Sequence, residues 1–285
     1  MGYTRRNLRF VILPMPNIPH YQCPICDTQL NKIERSLVCE NNHQFDFAKE
    51  GYVNLLPVQF KKSLHPGDDK AMVIARRNFL ELGHYEFLRQ KLLELIQSYA
   101  PATLVDLGCG EGYYTSYVQQ SVSEADVYGV DISKDAVRYS AKRNKDVHYC
   151  VATNAKTPFS NAYFDLILNV FAPLVGKECQ RILSEHGVII SAAPGKQHLI
   201  ELKQAIYDNV ELHDAATVPD GFERVASHNI TETIMLTTQP QMNDLLTMTP
   251  FGWKITVEKK QQLFARAEFP ITLSFDINIF KPISL

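Results

Sequence analysis

Two groups of residues in this 285-residue chain have types and spacings that can do chemistry. The first is Cys23, Cys26, Cys39 and His43, a C-x2-C-x12-C-x3-H arrangement that uses three of the six cysteines. Cys23 and Cys26 flank a tight turn whose backbone Pro24 pre-sets, and the second pair follows a short extended run, RSLVC. Two pairs of thiolate or imidazole ligands suit tetrahedral zinc. Disulfides fit poorly, because three cysteines leave one unpaired and the chain reads as cytosolic. Scattered buried thiols are the alternative, and that is the reading for the isolated Cys109, Cys150 and Cys179. Four protein ligands close the coordination sphere, so the zinc would be structural. It would supply folding energy to a module too short to build its own core.

The second group lies in VDLGCGEGYYT, where Gly108, Gly110 and Gly112 let the backbone turn sharply and leave room for a ligand against the main chain. A G-x-G-x-G loop is common to dinucleotide folds and to methyltransferases that use S-adenosylmethionine. Asp106 stands just before it, where a carboxylate repels a pyrophosphate but accepts from a cationic amino-acid group. The Lys-Ser/Thr of a phosphate loop is missing. Asp131 ends the next apolar run, 21 residues after Gly110, where an acid holds ribose hydroxyls in dinucleotide folds as well.

Positioning these groups requires elements that the sequence marks by alternation. TLVDLG, DVYGVDI, VHYCVAT, YFDLILNVF and GVIISAAP read as strands, with helices over GYYTSYVQQ and, capped by Ser133, SKDAVRYSAKR. A further helix is predicted over PGKQHLIELKQAIYDNV, and the tail FPITLSFDINIF reads as an antiparallel edge strand of a hairpin. This is an α/β, Rossmann-like parallel sheet with a reversed last strand. Ahead of it, HPGDD reads as a turn that caps a helix over residues 69–82. The expected division is a disordered extension at 1–20, in which Met15 is a candidate start, a zinc-binding module at 21–60, a helical linker at 61–100, and the sheet domain at 101–285.

Composition sets the outer bounds. Hydrophobic residues make up 45% and charged residues 21%, and no apolar run reaches membrane-spanning length. Net charge is −2, but residues 1–77 hold 11 Lys+Arg against 7 Asp+Glu, so a basic front precedes an acidic body. That asymmetry points to a polyanion partner. Phe45, Phe47, Tyr52 and Phe60 interleave with Lys49, Lys61 and Lys62, either stacking bases or docking the zinc module on its neighbour. Lys32, Arg35, Arg76 and Arg77 complete the candidate phosphate contacts.

VDLGCGEGYYT, YGVDIS and TPFSNAYFDLILNVFAPL resemble class I methyltransferases. Read together, the cysteine–histidine motif, FDFAKEGYVNLLP, HPGD, RRNFLELGHY, PGKQHLIELKQAIY and MTPFGW resemble the bacterial 23S rRNA guanine-N1 methyltransferases over roughly residues 21–280. The resemblance implies methyl transfer from S-adenosylmethionine to a guanine in the helix 35 hairpin, a bound zinc, and a homodimer. It implies donor contacts by Tyr85, Gly108, Gly110, Glu111, the Asp131 region and His198. In many relatives an acid near the end of the third strand contacts adenine; here Asn154 would have to do so as an amide. On the acceptor side, Asn169 and Phe171 near the exit of the fourth strand are the candidates, with His198 a secondary proton shuttle. MTPFGW inclines the expected target toward the Gram-negative-type guanine of the loop.

Overall fold

The computed structural model describes residues 19–60 and 66–283. The expected disordered arm, the Met15 start, Lys61 and Lys62 therefore lie outside the described residues, apart from the arm's last two positions.

The chain opens with three short antiparallel strands, β1 (Asn31–Ile33), β2 (Ser36–Val38) and β3 (Gln44–Asp46). All of β1 is exposed, so this sheet has almost no interior of its own. Its apolar side chains instead join the core of the large sheet. Tyr21, Leu30 and Leu37 are buried with Tyr128, Phe159 and Phe164. The Tyr21 ring meets Tyr128 edge-on at 5.8 Å and Phe159 at 5.5 Å. Strand β4 (Val53–Asn54) then adds in parallel to the edge of the large sheet. The expected boundary at residue 60 thus falls after a strand that already belongs to that sheet. Docking accounts for Tyr52, which is buried, and for Phe45 and Phe47, which pack on the shared core.

Helices α1 (Lys70–Glu81) and α2 (Glu86–Tyr99) follow. Asp69 caps α1 through the Met72 N–H, close to the predicted start. The sheet continues with β5 (Thr103–Leu107), α3 (Tyr113–Ser121), β6 (Asp126–Asp131), α4 (Lys134–Arg143, capped by Ser133), β7 (His148–Val151), β8 (Phe164–Val170), α5 (Gly176–Ile182) and β9 (Leu183–Pro194). After α6 (Ile200–Ile206) come β10 (Phe222–Leu236), α7 (Gln239–Thr247), α8 (Val257–Phe264) and β11 (Phe269–Pro282). The eight strands lie in the order β10-β11-β9-β8-β5-β6-β7-β4. Strands β4 to β9 run parallel, and β10 and β11 are antiparallel. The order reverses between β5 and β8, and the crevice at the carboxyl ends of such strands is where open α/β sheets bind ligands.

Two expectations need correction. The tail strand β11 is not an edge: it pairs with β9 on one side and β10 on the other, and β10 forms the rim. Strand β10 faces water along most of its length, so it lacks the apolar alternation that would mark it. The helix expected from Pro194 to Val210 spans only Ile200–Ile206. Pro194 still pairs with Phe275, and Leu199 takes a left-handed φ of 56° before the helix begins.

Candidate active site and metal centre

The zinc ligands come from two backbone turns. The Asp27 N–H donates to the Cys23 carbonyl at 2.8 Å, and the Cys39 N–H donates to the His43 carbonyl at 3.1 Å. Asp27 and Asn42, at φ 58° and 60°, close the two knuckles. The ligand atoms of Cys23, Cys26, Cys39 and His43 all lie within 4.8 Å of one another. His43 Nδ1 is 3.4 Å from each of the three sulfurs, and Cys26 Sγ is 3.7 Å from Cys39 Sγ. Zinc–sulfur bonds of about 2.3 Å in a tetrahedron require sulfur separations of about 3.8 Å, so the cage fits the metal. Four protein ligands leave no open position, which suits a structural metal.

The cleft lies across the carboxyl ends of β5, β6, β8 and β9 and encloses about 1480 Å³. At its floor the loop after β5 turns through left-handed backbone. Gly108 has φ 87°, and a Cβ there would sit 2.3 Å from that of Ala172. Gly110 has φ 56° with nothing within 4 Å of a Cβ, so its open side is available to a ligand. Asp106 is buried: Oδ2 accepts from the Thr115 hydroxyl at 2.6 Å, while Oδ1 has no hydrogen-bond partner among the described residues. Burial pushes its carboxyl up to about 7, with repulsion from Asp131 adding and the Thr115 bond opposing. An orphaned buried carboxylate oxygen beside an open glycine loop is the acceptor that a cationic amino-acid group needs.

Asp131 anchors the loop from the end of β6. Its Oδ2 accepts from the Gly110 N–H at 2.9 Å and its Oδ1 from the Ser133 N–H at 2.8 Å. Each oxygen keeps a lone pair for a further donor. Above it, Gly67 and Asp68 close the cleft wall: the Ser133 hydroxyl donates to the Asp68 carbonyl at 2.8 Å, and Asp68 pairs with Arg76. Arg76 also reaches the Met248 carbonyl at 3.4 Å, so this expected phosphate contact is engaged in holding the cleft together.

The remaining predicted residues converge on the same cleft. Tyr85, Phe171, His198 and Phe275 form one aromatic group: Tyr85 lies 5.0 Å from Phe275, His198 4.8 Å from Phe275, and Phe171 5.4 Å from Phe275. His198 Nδ1 accepts from the Ser274 N–H at 3.2 Å, which leaves the neutral ring's proton on Nε2. Burial, together with His213 and Lys203, pushes this imidazole down to about 3. A neutral ring with its Nδ1 so committed offers its Nε2–H as a hydrogen-bond donor. Glu111 lines the cleft, but Arg143 holds it twice, donating to its carboxylate at 2.6 Å and to its backbone carbonyl at 3.3 Å. Asn154 lies in the loop after β7 and reaches the Pro173 carbonyl at 3.4 Å. Asn169 is clamped at both ends, donating to the Leu107 carbonyl at 2.9 Å and accepting from the Ser191 hydroxyl at 3.2 Å. Phe171, at φ 57°, is held in left-handed backbone that projects it half-exposed into the cleft.

Sequence reasoning misses the outer wall, built by residues 209–219 and 248–254. Those segments carry no glycine loop or ligand spacing. The late MTPFGW run is their one visible signal.

The model of the RlmA N-terminal zinc ribbon matches residues 21–64, and a methyltransferase-domain model matches residues 104–187. The 23S rRNA (guanine(748)-N(1))-methyltransferase of Streptomyces fradiae is 32% identical, over 94% of this chain and 99% of its own length. The YxjB protein of Bacillus subtilis (strain 168) is 29% identical, over 91% of this chain and 96% of its own. By contrast, the malonyl-[acyl-carrier protein] O-methyltransferase of Hahella chejuensis matches only 41% of the chain. With a relative 32% identical over 94% of its length, the chain belongs to the 23S rRNA (guanine-N1)-methyltransferase family.

Proposed function

We propose that this protein methylates N1 of an unpaired guanine in the helix 35 hairpin of 23S rRNA, using S-adenosylmethionine. One observation carries the reading: a closed Cys3His clip shares its core with a cleft whose floor offers an orphaned buried carboxylate beside open glycine backbone. When bound, S-adenosylmethionine supplies an electrophilic methyl group on a sulfonium sulfur. Asp106 Oδ1 accepts from the ammonium of its amino-acid portion, and His198 Nε2–H donates to the carboxylate. Asp131 accepts from the ribose hydroxyls, Asn154 meets the adenine edge, and Tyr85 packs against the chain. Gly108 and Gly110 contribute backbone, and Glu111 its N–H.

Guanine N1 carries a proton and becomes nucleophilic as that proton passes to solvent, so most of the protein's work is positioning the base. Phe171 offers an exposed face on which the base stacks. Asn169 Oδ1 keeps one lone pair toward the cleft, which orients the N1–H without acting as a base. The zinc module, residues 21–60, serves as the RNA-reading arm, residues 61–100 link it to the transferase domain, and the active species is a cytoplasmic homodimer.

Transfer of radiolabelled methyl to 23S RNA, followed by nucleotide mapping, tests this. Label at N1 of a hairpin guanine is the expected result. The Streptomyces fradiae relative is named for guanine 748, so that nucleotide and the Gram-negative-type alternative are the two positions to map. Label on small molecules alone would favour a small-molecule methyltransferase, and no label with retained RNA binding would mark an inactive relative.

A further inference from the structure

The chain has a single tryptophan, Trp253, and its side chain stands 75% exposed at the end of a 3-10 turn, Pro250–Trp253. An indole left so far in water costs apolar surface and is unusual for a side chain of this size. The turn beneath it is firmly built. Phe251 packs on the core and meets Tyr207 edge-on at 6.2 Å. The Lys254 and Ile255 N–H groups both donate to the Phe251 carbonyl, at 3.0 and 3.1 Å. At Gly252 a Cβ would lie 2.6 Å from the Leu246 carbonyl oxygen, so no side chain can crowd the indole from that position.

The turn is also part of the cleft. Met248, Thr249, Pro250, Phe251 and Lys254 all line it, and Trp253 sits between the lining residues Phe251 and Lys254 without lining the cleft itself. Two apolar side chains on the cleft walls are exposed as well, Phe171 at 43% and Leu212 at 54%. Lys254 lines the same cleft, with its ammonium 6.0 Å from the Tyr207 ring. An exposed aromatic face on a well-ordered turn, with a cation on the next residue, is how proteins hold an unstacked base near its phosphate.

We propose that Trp253 is a positioning residue for the RNA, stacking on an unpaired base that flanks the target guanine. This rests on the methyl-transfer reading above. Drawing a guanine out of a hairpin loop into the cleft leaves its neighbour without a stacking partner, and the indole replaces that partner. Phe171 inside the cleft takes the target base, and Trp253 outside takes the next one.

Because Trp253 is the one tryptophan, its emission reports on this contact alone. Titrating the full-length protein with the 23S hairpin should quench that emission, while a fully paired duplex of equal length should leave it unchanged. Trp253→Ala should weaken hairpin binding by about 5- to 150-fold, with Trp253→Phe recovering part of the loss. Binding of S-adenosylhomocysteine and the melting temperature should match wild type, since the side chain supports neither the donor site nor the core. Unchanged emission at saturating hairpin, or unchanged hairpin affinity in Trp253→Ala, overturns the proposal. If wild-type protein fails to methylate 23S RNA, the functional reading fails instead, and the two failures are told apart by that control.

Discussion

Asp106 carries a strong ligand signature, because half of its carboxylate has no partner among the described residues and burial holds its pKa near 7. A protonated Asp106 cannot pair with an ammonium, so donor binding must release a proton at neutral pH. Affinity for S-adenosylhomocysteine, followed by calorimetry, should therefore rise about tenfold from pH 6 to pH 8 and then level. Asp106→Asn should bind more weakly with no such slope. His198 shows the opposite sign. Its folded pKa, about 3, lies below the ordinary histidine value, so the unfolded chain takes up a proton that the folded one refuses. Its contribution to stability is complete above about pH 6.5 and is lost progressively as pH falls toward 3. At pH 5 the loss amounts to about 2 kcal/mol. His198→Gln should flatten that part of the urea-unfolding profile and also weaken donor binding; an unchanged profile would contradict the neutral, buried ring.

At the level of elements, the β1–β3 sheet and strand β4 depend on each other. The small sheet carries the Cys3His cage, and β4 ties the same segment to β7 through the Leu55 N–H to Val151 carbonyl bond of 2.9 Å. The clip is also fastened to the sheet by Gln22, whose N–H donates to the Pro158 carbonyl at 2.8 Å, and by the Arg138–Glu50 pair at 3.0 Å. Metal removal should therefore be felt beyond the cage. Cys39→Ser, or exhaustive chelation, should abolish the one zinc per chain expected in metal analysis. Hydrogen exchange should quicken in residues 21–47 and at Leu55, while amides of β5 and β8 stay protected. Protection that is the same with and without zinc would show that the shared core alone holds the module.

Across the whole molecule, the candidate RNA contacts are spread over two parts. Lys32, Arg35 and Lys49 are exposed on the zinc module, with Lys32 resting 5.9 Å from the Phe47 ring. Arg76 is drawn inward to the cleft wall, and Arg77 lies 5.8 Å from the Tyr139 ring. The RNA is thus expected to bridge a basic module and an aromatic cleft. Reversing Lys32 and Lys49 to glutamate should weaken RNA binding and reduce the slope of log affinity against log salt by about 1.5 to 2. Donor affinity should not change. An unaltered salt slope would remove these two lysines from the interface. No helix among the described residues is long and apolar enough to cross a membrane.

Local spacing alone makes much of the chemistry legible. The cysteine–histidine cage is written within 21 residues, and the glycine loop follows its strand directly, so short-range geometry governs both. Ser133 and Asp69 likewise act as caps because a cap needs only the N–H groups two or three residues ahead. What spacing cannot convey is which long-range partner a side chain finds. Arg76 and Glu111 look free in the sequence, yet the fold commits them to Asp68 and Arg143. Asn169 is fastened by Leu107 and Ser191, 62 and 22 residues away. Strand β10 carries no signal because a rim strand that faces water has no apolar alternation to read. Ligand types, the donor loop and the alternating sheet are thus properties of the linear chain, since each is set by near neighbours. The identity of the strand that closes the sheet, the carboxylate oxygen left unpaired, and the place of Trp253 beside the cleft emerge only on folding. Those outcomes depend on contacts between residues far apart along the chain.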